Sequence, residues 1–298
     1  MNYPHQFSKE ELNRYFESFI ALGADRFSIL LSLLGKLGLV YKVRVIRGNR
    51  HFLVSPERAS QRWEGTTILA AHYDRVAGSA GANDNSAAVF ALLDAASTLE
   101  KDEARGVLII LTDKEELAYG EGITNQGSYT LAKELRTTGL GEAKVFIFDA
   151  CGTGDTLIIS TTADYLMKNE NGPGIAKTRL QVRRLRTRAL ETARCLRMKR
   201  VKLIPTPFSD DAGFLRAGLA AQTITMLPAG EAAAFDAVVR STPTYADALV
   251  KREAQAAYDT QLIPETWRRL NGPEDSRIHL TPEHFPDVVR FIHALCRG

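Results

Sequence analysis

The stretch ILAAHYDRVAGSAGANDNSAAVFALL, residues 68–93, holds a histidine and two aspartates around a short loop. His72 and Asp74 follow an apolar segment that is typical of a buried strand, and Asp84 ends the Gly- and Ala-rich loop. Sites in open α/β sheets form beyond the carboxyl ends of strands, where such side chains would meet. Imidazole and carboxylate groups are common metal ligands, so metal binding is the first hypothesis for this stretch.

Two other interpretations of this stretch stay open. A glycine-rich loop between a strand and a helix also cradles phosphate, but residues 78–81 do not match G-x-G-x-x-G and the nearby aspartates would repel phosphate. Alternatively, His72 is a hydrogen-bonded core histidine and Asp84 merely caps a helix. That helix is expected to open through Asn85 and Ser86, which are both good N-cap residues.

Acidic residues also follow two further apolar segments. Glu115 and Glu116 come just after the run GVLIILT, whose continuous apolar character is typical of a strand buried on both faces. Asp149 ends a similar run, VFIFD. Three separate strands therefore finish on histidine or carboxylate residues, which is hard to attribute to chance.

The candidate ligands share nitrogen or oxygen donors and include no thiolate. They are His72, Asp84, Glu116, Asp149 and, in a loop before the last helix, His279, with Glu115 adjacent to the set. These donors suit a hydrolytic zinc ion or a similar borderline metal. Two histidines with three carboxylates are too many for one open catalytic site, so two divalent metal ions that share a bridging carboxylate fit better. Two Zn²⁺ ions are the expected cofactors.

Composition and charge indicate an ordinary globular chain. Of its 298 residues 45% are hydrophobic and 24% are charged, and the net charge of +3 is too small to favour nucleic acid or a membrane as a partner. The N-terminus lacks the layout of a signal peptide, and no run approaches the roughly 20 apolar residues of a membrane span. A cytoplasmic location is the expectation. The three cysteines match no zinc or redox motif and are expected to be free thiols.

Hydrophobic periodicity predicts the elements around these residues. Residues 1–40 show the pattern of N-terminal helices, and residues 41–54 that of a half-exposed hairpin which turns at Gly48 and Asn49. The other segments with a clear pattern are strands at 68–71, 106–112, 145–149 and 222–227 and a helix at 128–137.

Two long segments need separate explanations. Residues 177–202 hold 11 Lys or Arg residues against one Glu, and their apolar positions recur at helical spacing. A helix with a solvated basic face explains them, with an acidic substrate or partner as the alternative. Residues 229–276, called here the C-terminal insertion, are helical in character and mostly polar. They come directly before His279, so we expect them to cover the site.

In their order, the motifs AHYD, GANDNSA, the glutamate pair, FDACG and IHLTP resemble those of the dinuclear zinc exopeptidases typified by bacterial leucyl aminopeptidases. The wider family includes glutaminyl cyclases and glutamate carboxypeptidases. The resemblance spans most of residues 67–282, and the ordered set is more specific than any single motif. It implies one α/β domain over residues 1–298, with a mixed, largely parallel central sheet flanked by helices and a helical insertion near the C-terminus.

The resemblance also implies a role for each ligand. Asp84 would bridge both metal ions. His72 and Asp149 would complete one site. Glu116 and His279 would complete the other.

The catalytic roles follow from the same resemblance. Glu115 would be the general base, and Asp74 would hydrogen-bond His72 to orient it. The expected reaction is hydrolysis of N-terminal residues from peptides, or from other small amide substrates. The alternative enzyme is a glutaminyl-peptide cyclotransferase with a single zinc. A non-catalytic binding protein derived from a peptidase is disfavoured, because all five ligands and the base are present.

The sequence departs from the family pattern at three places. The segment AYGEGITNQ separates the glutamate pair from Gly127 and Ser128, and Asp211 stands where many members have histidine. The C-terminal insertion is also longer than the usual connection to the last ligand. These changes leave the predicted ligands intact but leave the substrate preference open.

Overall fold

The structure, a computed structural model, describes residues 9–55, 65–101, 106–118, 120–250 and 260–297. Its strands are β1 (Val40–Ile46), β2 (Asn49–Ser55), β3 (Thr67–His72), β4 (Val107–Thr112), β5 (Lys144–Phe148), β6 (Thr156–Ser160), β7 (Val201–Ile204) and β8 (Ala221–Leu227). They form one sheet in the order β1-β2-β4-β3-β5-β8-β6-β7. The strands β4, β3, β5 and β8 pair in parallel, whereas the pairs β1–β2, β2–β4 and β8–β6 are antiparallel. The predicted α/β class with a mixed, largely parallel sheet is confirmed.

Helices cover both faces of this sheet. They are α1 (Lys9–Ile20), α2 (Arg26–Leu37), α3 (Ala88–Lys101), α4 (Gly127–Thr137), α5 (Thr162–Leu166), α6 (Pro173–Cys195), α7 (Asp210–Arg216), α8 (Ala229–Ser241), α9 (Pro243–Val250), α10 (Glu265–Arg269) and α11 (Phe285–Cys296). The helices expected over residues 1–40 correspond to α1 and α2, and the first eight of those residues lie outside the described ranges.

The middle strands are buried because both of their faces are apolar. On β3, Leu69 and Ala71 face the core beneath α3, α6 and α11, whereas Ile68 and Ala70 face the core beneath α4 and α7. Successive residues of a strand point to opposite faces, so a strand with two covered faces has a continuous apolar run. The strands β3, β4 and β5 each contribute side chains to both of these apolar cores.

The segment at residues 177–202 is only partly helical. As predicted, α6 buries its apolar stripe, including Val182, Leu185 and Ala189. However, α6 ends at Cys195, and Val201 begins β7, which the sequence did not indicate. A strand was missed there because β7 is a short outer strand whose first three residues are not buried, so it has no buried apolar run.

The C-terminal insertion is helical, as predicted, in the parts that the structure describes. It comprises α8, α9, a single 3₁₀ turn (Thr260–Leu262) and α10. Phe235, Tyr245 and Trp267 are buried in one cluster with Ile158 of β6 and Leu227 of β8. The rings of Phe235 and Trp267 meet edge to face, with centroids 5.2 Å apart. The insertion is therefore attached to the sheet through a separate apolar core.

Within the described residues, no helix has both the length and the apolar composition that crossing a membrane requires. All three cysteines are free, as expected, and Cys151 is buried just beyond β5. Its Sγ lies 3.4 Å from the backbone oxygen of Ile224, which fits a small buried side chain.

Candidate metal centre

Three neighbouring strands bring the predicted residues to one edge of the sheet. His72 is the last residue of β3, Asp149 directly follows β5, and Glu115 lies just beyond β4. Because β3 pairs in parallel with both neighbours, the carboxyl ends of the three strands point the same way. The strand order therefore gathers side chains that are far apart in the sequence.

His72 is fully buried at the centre of this edge. Its Nε2 lies 3.0 Å from Asp84 Oδ1 and 3.8 Å from Asp149 Oδ1, and its Nδ1 lies 3.5 Å from Asp74 Oδ1. Neither ring nitrogen makes a hydrogen bond of good geometry with the described residues. Burial lowers the pKa of His72, but the surrounding carboxylates, Asp149 first among them, outweigh burial and raise it well above its usual value. A cation is therefore favoured between this ring and the aspartates.

Two groups of side chains place their ligand atoms within 4.8 Å of one another. One contains His72, Asp84 and Asp149, and the other contains His72, Glu115 and Glu116. Burial, followed by the charge of Asp84, raises the pKa of Glu116 to about 9. Burial, followed by the charge of Asp149, also raises the pKa of Asp84. Crowded buried carboxylates repel one another, and a divalent cation between them removes this repulsion, so the donor set fits a divalent metal ion.

Asp74 connects β3 to the glutamate pair. Its Oδ1 accepts a hydrogen bond from the backbone N–H of Glu115 at 3.1 Å, and its Oδ2 accepts one from that of Glu116 at 3.0 Å. Burial opposes ionisation of Asp74, but His72 and these two amides outweigh burial and lower its pKa. An ionised Asp74 beside Nδ1 of His72 favours the tautomer whose Nε2 is free to bind a metal.

Asn85 fixes the backbone on both sides of Asp149. Its Nδ2 donates to the backbone oxygen of Phe148 at 2.8 Å, and its Oδ1 accepts from the N–H of Ala150 at 3.2 Å. The N-cap role predicted for Asn85 is wrong, because α3 begins only at Ala88 and Asn85 lies in the preceding turn with non-helical φ and ψ. The side chain instead satisfies the buried backbone of β5.

Arg26 of α2 supports the loop between β3 and α3. Its guanidinium donates to the backbone oxygens of Phe19, Tyr73, Asp74, Ala80 and Gly81 and to the hydroxyl of Ser86. The residue is only 5% exposed, and burial, followed by the charge of Arg75, lowers its pKa to about 9. Because these acceptors come from both ends of the loop, Arg26 holds the segment that carries Asp84.

Gln126 holds the carboxylate of Glu115. Its Nε2 donates to Glu115 Oε1 at 3.0 Å, and the side chain is completely buried. The next residue must be glycine, since a Cβ on Gly127 would lie 1.9 Å from the backbone oxygen of Asp113. Gln126 is the last residue of the segment AYGEGITNQ. This departure from the family pattern therefore places a hydrogen-bond donor against the predicted base.

His279 belongs to neither group of ligand atoms. It ends a 3₁₀ turn, Arg277–His279, and its backbone oxygen accepts a hydrogen bond from Thr153 Oγ1 at 3.1 Å. Glu116 instead meets Asn271, whose amide nitrogen, in the orientation that satisfies both amide atoms, lies 2.6 Å from Glu116 Oε1. The ligand role of His279 stays a prediction.

Asp210 and Asp211 begin α7 and are both buried. Asp210 accepts a hydrogen bond from Thr112 at the end of β4, and Asp211 accepts one from the N–H of Ser209 at 3.0 Å. Burial raises the pKa of each aspartate to about 6. Asp211 stands where many members of the resembling family have histidine, and here its carboxylate has a backbone partner of its own.

Asp275 supports the loop of Asp84 from the opposite end of the chain. Its Oδ1 accepts a hydrogen bond from the N–H of Asn83 at 2.7 Å, and its Oδ2 accepts one from that of Asp84 at 3.0 Å. The residue is 3% exposed, and burial raises its pKa to about 7. No sequence pattern indicated this role, because GPEDSR has the composition of an ordinary polar loop.

We expect Asp275→Asn to weaken zinc binding about 10- to 100-fold, the usual effect of losing a group that orients a ligand. A carboxamide accepts a hydrogen bond at only one of its two ends, so the N–H of Asn83 or of Asp84 loses its partner. Competition with a chromophoric chelator measures the affinity. The Asp287→Asn variant, at a half-exposed position of α11, is the control, and unchanged zinc affinity in Asp275→Asn would contradict the prediction.

A cavity of about 560 Å³ opens onto the metal centre. It is lined by Asp84, Glu115, Glu116 and Asp149, and the C-terminal insertion contributes further lining residues that include Trp267. The volume lies in the range of small-molecule sites. The acidic groups and the insertion therefore face the same space.

Comparison with known proteins gives one sequence-level match. The family model described as peptidase family M28 matches residues 54–261. No curated protein matches the sequence.

Solved structures share the fold at low sequence identity. The LapA aminopeptidase of Legionella pneumophila has a TM-score of 0.64 at 13% identity, covering 97% of this chain and 69% of that one. A glutaminyl cyclase from an Acidobacteriales bacterium has a TM-score of 0.62 at 13% identity, covering 100% and 96%. BSAP, a zinc aminopeptidase from Bacillus subtilis, has a TM-score of 0.55 at 18% identity over 83% of this chain, which spans 49% of its length. At these identities the likeness shows the fold alone.

Proposed function

Because the chain belongs to peptidase family M28, we propose that it is a metal-dependent aminopeptidase that removes N-terminal residues from short peptides. The observation that carries this proposal is the pair of ligand groups that share the buried His72 and whose carboxylates line the cavity. Imidazole and carboxylate donors without thiolate favour zinc as the metal.

The assignment of ligands follows the resemblance seen in the sequence. Asp84 would be shared by two ions, which His72 and Asp149 would hold on one side and Glu116 and His279 on the other. When bound, the ions polarise the scissile carbonyl and acidify the attacking water. His279 is the one assigned ligand outside the two groups.

The residues of the chain supply the proton transfers. Glu115, which lines the cavity, takes the proton of the attacking water and passes it to the leaving amine. Gln126 keeps the Glu115 carboxylate in place through the 3.0 Å hydrogen bond to Oε1. Asp74 keeps His72 in the tautomer that presents Nε2 to the metal.

Assays with aminoacyl-arylamides and short peptides in the presence of zinc, cobalt or manganese test the proposal. We expect release of the N-terminal residue, its loss after treatment with a chelator and its return when metal is added. Peptides with an acetylated N-terminus are the control and should not be cleaved. Equal cleavage of blocked and free peptides would contradict an exopeptidase, and failure to cleave any amide would contradict a hydrolase.

A glutaminyl-peptide cyclotransferase with one zinc ion is the second candidate. Both ligand groups depend on His72, and its Nδ1 faces Asp74. Because only Nε2 of His72 is then left for an ion, this arrangement favours a single ion. Metal content and ammonia release from a peptide with N-terminal glutamine separate the two activities. One ion per chain with ammonia release supports the cyclase, and two ions with a released amino acid support the peptidase.

The C-terminal insertion is expected to limit substrates by length. Leu249, Trp267 and Leu270 from this segment line the cavity, so a long peptide would have to pass beside them. We expect kcat/KM to fall at least about tenfold, equivalent to roughly 1.4 kcal/mol, between tripeptides and decapeptides with the same N-terminal sequence. Steady-state rates over this series measure the effect. Equal rates at all lengths would show that the insertion does not restrict access.

A further inference from the structure

Arg268 is the one basic residue among the described residues that line the cavity. Five other cavity residues come from the C-terminal insertion, and four of them are the apolar Leu249, Ile263, Trp267 and Leu270. The guanidinium of an arginine side chain is positively charged in proteins. The cavity that holds the acidic centre therefore also presents a permanent cation on an apolar wall.

The guanidinium of Arg268 has no hydrogen bond or ion pair with the described part of the chain. The adjacent Arg269, by contrast, pairs with Glu265 one helical turn away. An arginine presents five N–H donors in a planar fork that matches the two oxygens of a carboxylate. An anion from outside the chain is the partner that this side chain fits.

The backbone that carries Arg268 is fixed by its neighbours in α10. The N–H of Thr266 donates to Glu231 Oε2 at 2.9 Å, and the Thr266 hydroxyl lies 3.2 Å from Glu231 Oε1. Trp267 is 6% exposed and packs edge to face on Phe235. Binding of an anion therefore orders only the side chain of Arg268, which reduces the entropic cost of the contact.

We propose that Arg268 binds a carboxylate of the substrate and that this site prefers short peptides with a free carboxylate close to the scissile bond. The inference rests on the proposed function and names its substrate class. Two divalent ions would balance the four acidic residues of the cavity, which leaves the charge of Arg268 for the substrate. The carboxylate comes from the C-terminus of a dipeptide or from an acidic side chain after the scissile bond.

Three substrates separate these sources: leucyl-alanine, leucyl-alaninamide and leucyl-glutamic acid α-amide. We expect wild-type kcat/KM to be about 10- to 100-fold higher for a carboxylate-bearing peptide than for leucyl-alaninamide, the effect of a hydrogen bond to a charged group. Arg268→Gln should remove this advantage by lowering kcat/KM for the carboxylate-bearing peptide. Arg269→Gln, which alters the neighbouring arginine outside the cavity lining, is the matched control and should keep the advantage.

The peptide that shows the advantage identifies the source of the carboxylate. The proposal is overturned if wild type does not distinguish acid from amide, or if Arg268→Gln keeps the wild-type ratio. A wild type that hydrolyses none of the three peptides contradicts the proposed function instead. Calorimetric titration of the metal-loaded Glu115→Gln chain, with and without Arg268→Gln, then tests carboxylate recognition without turnover. Tighter binding of leucyl-alanine than of its amide, lost in Arg268→Gln, supports carboxylate recognition, and equal binding of the two overturns it.

Discussion

Replacement of Glu115 by glutamine is expected to lower kcat at least about 10²- to 10⁴-fold, the usual effect of losing a general base. The carboxamide has the shape of the carboxylate and still offers Oε1 to Gln126, whose Nε2 lies 3.0 Å from that atom in the wild type. It cannot take a proton from water at neutral pH. Glu115→Gln should therefore fold and bind metal and substrate but fail to turn the substrate over.

Glu116→Gln provides the matched comparison, because it makes the same chemical change at the neighbouring residue. As an assigned ligand, Glu116 should lose metal on replacement, and activity should partly return when metal is added in excess. Elemental analysis of both variants, with rates at increasing metal concentration, separates the two roles. Full activity of Glu115→Gln at saturating metal would contradict the mechanism. Metal loss in Glu115→Gln would make Glu115 a ligand, as its place beside His72 and Glu116 allows.

The strand ends could be predicted because their signals are local. A buried parallel strand is a continuous apolar run, and the residue type that follows the run is visible at once. This was enough to find His72, Glu115 and Asp149, which end or follow β3, β4 and β5. Since parallel strands finish at a shared edge, the meeting of these residues followed from the same pattern.

The residues that support the centre could not be predicted, because they act on backbone groups that every residue has. Asp275 accepts hydrogen bonds from the N–H groups of Asn83 and Asp84. Arg26, which lies in α2, donates to five backbone oxygens. Gln126 reaches Glu115 only because the chain turns at Gly127. No spacing or residue type in the sequence distinguishes these side chains from ordinary polar residues.

The position of His279 depends on packing that short-range patterns do not encode. The motif IHLTP indicated a ligand, but about fifty residues of the C-terminal insertion come just before it. The structure anchors the surrounding loop through Thr153 and places Asn271, instead of His279, against Glu116. The geometry of this second site is set by how the insertion docks, and only the structure gives that arrangement.

Replacement of Asp84 by asparagine is expected to reduce metal binding at both sites, because this carboxylate is assigned to bridge the two ions. His279→Ala should weaken chiefly one site, so elemental analysis of the two variants should differ. Metal ions contribute several kcal/mol to such reactions, and kcat/KM of Asp84→Asn should fall at least about 10³-fold. Asp287→Asn, at a half-exposed position of α11, is the control for the chemical change.

In the metal-free protein, Asp84→Asn is not expected to destabilise the fold. Asp84 is 6% exposed, and its burial, followed by the charge of Asp149, raises its pKa, so the folded chain disfavours its ionised form. Without metal, Asp84→Asn removes this unfavourable charge, and its Tm after treatment with a chelator should equal or exceed that of wild type. Added zinc should raise the Tm of wild type by several degrees and that of Asp84→Asn far less, because only the native wild-type site binds the ion tightly. Scanning calorimetry with and without zinc measures both quantities, and a zinc-induced shift in Asp84→Asn as large as that of wild type would show that Asp84 does not bridge the ions.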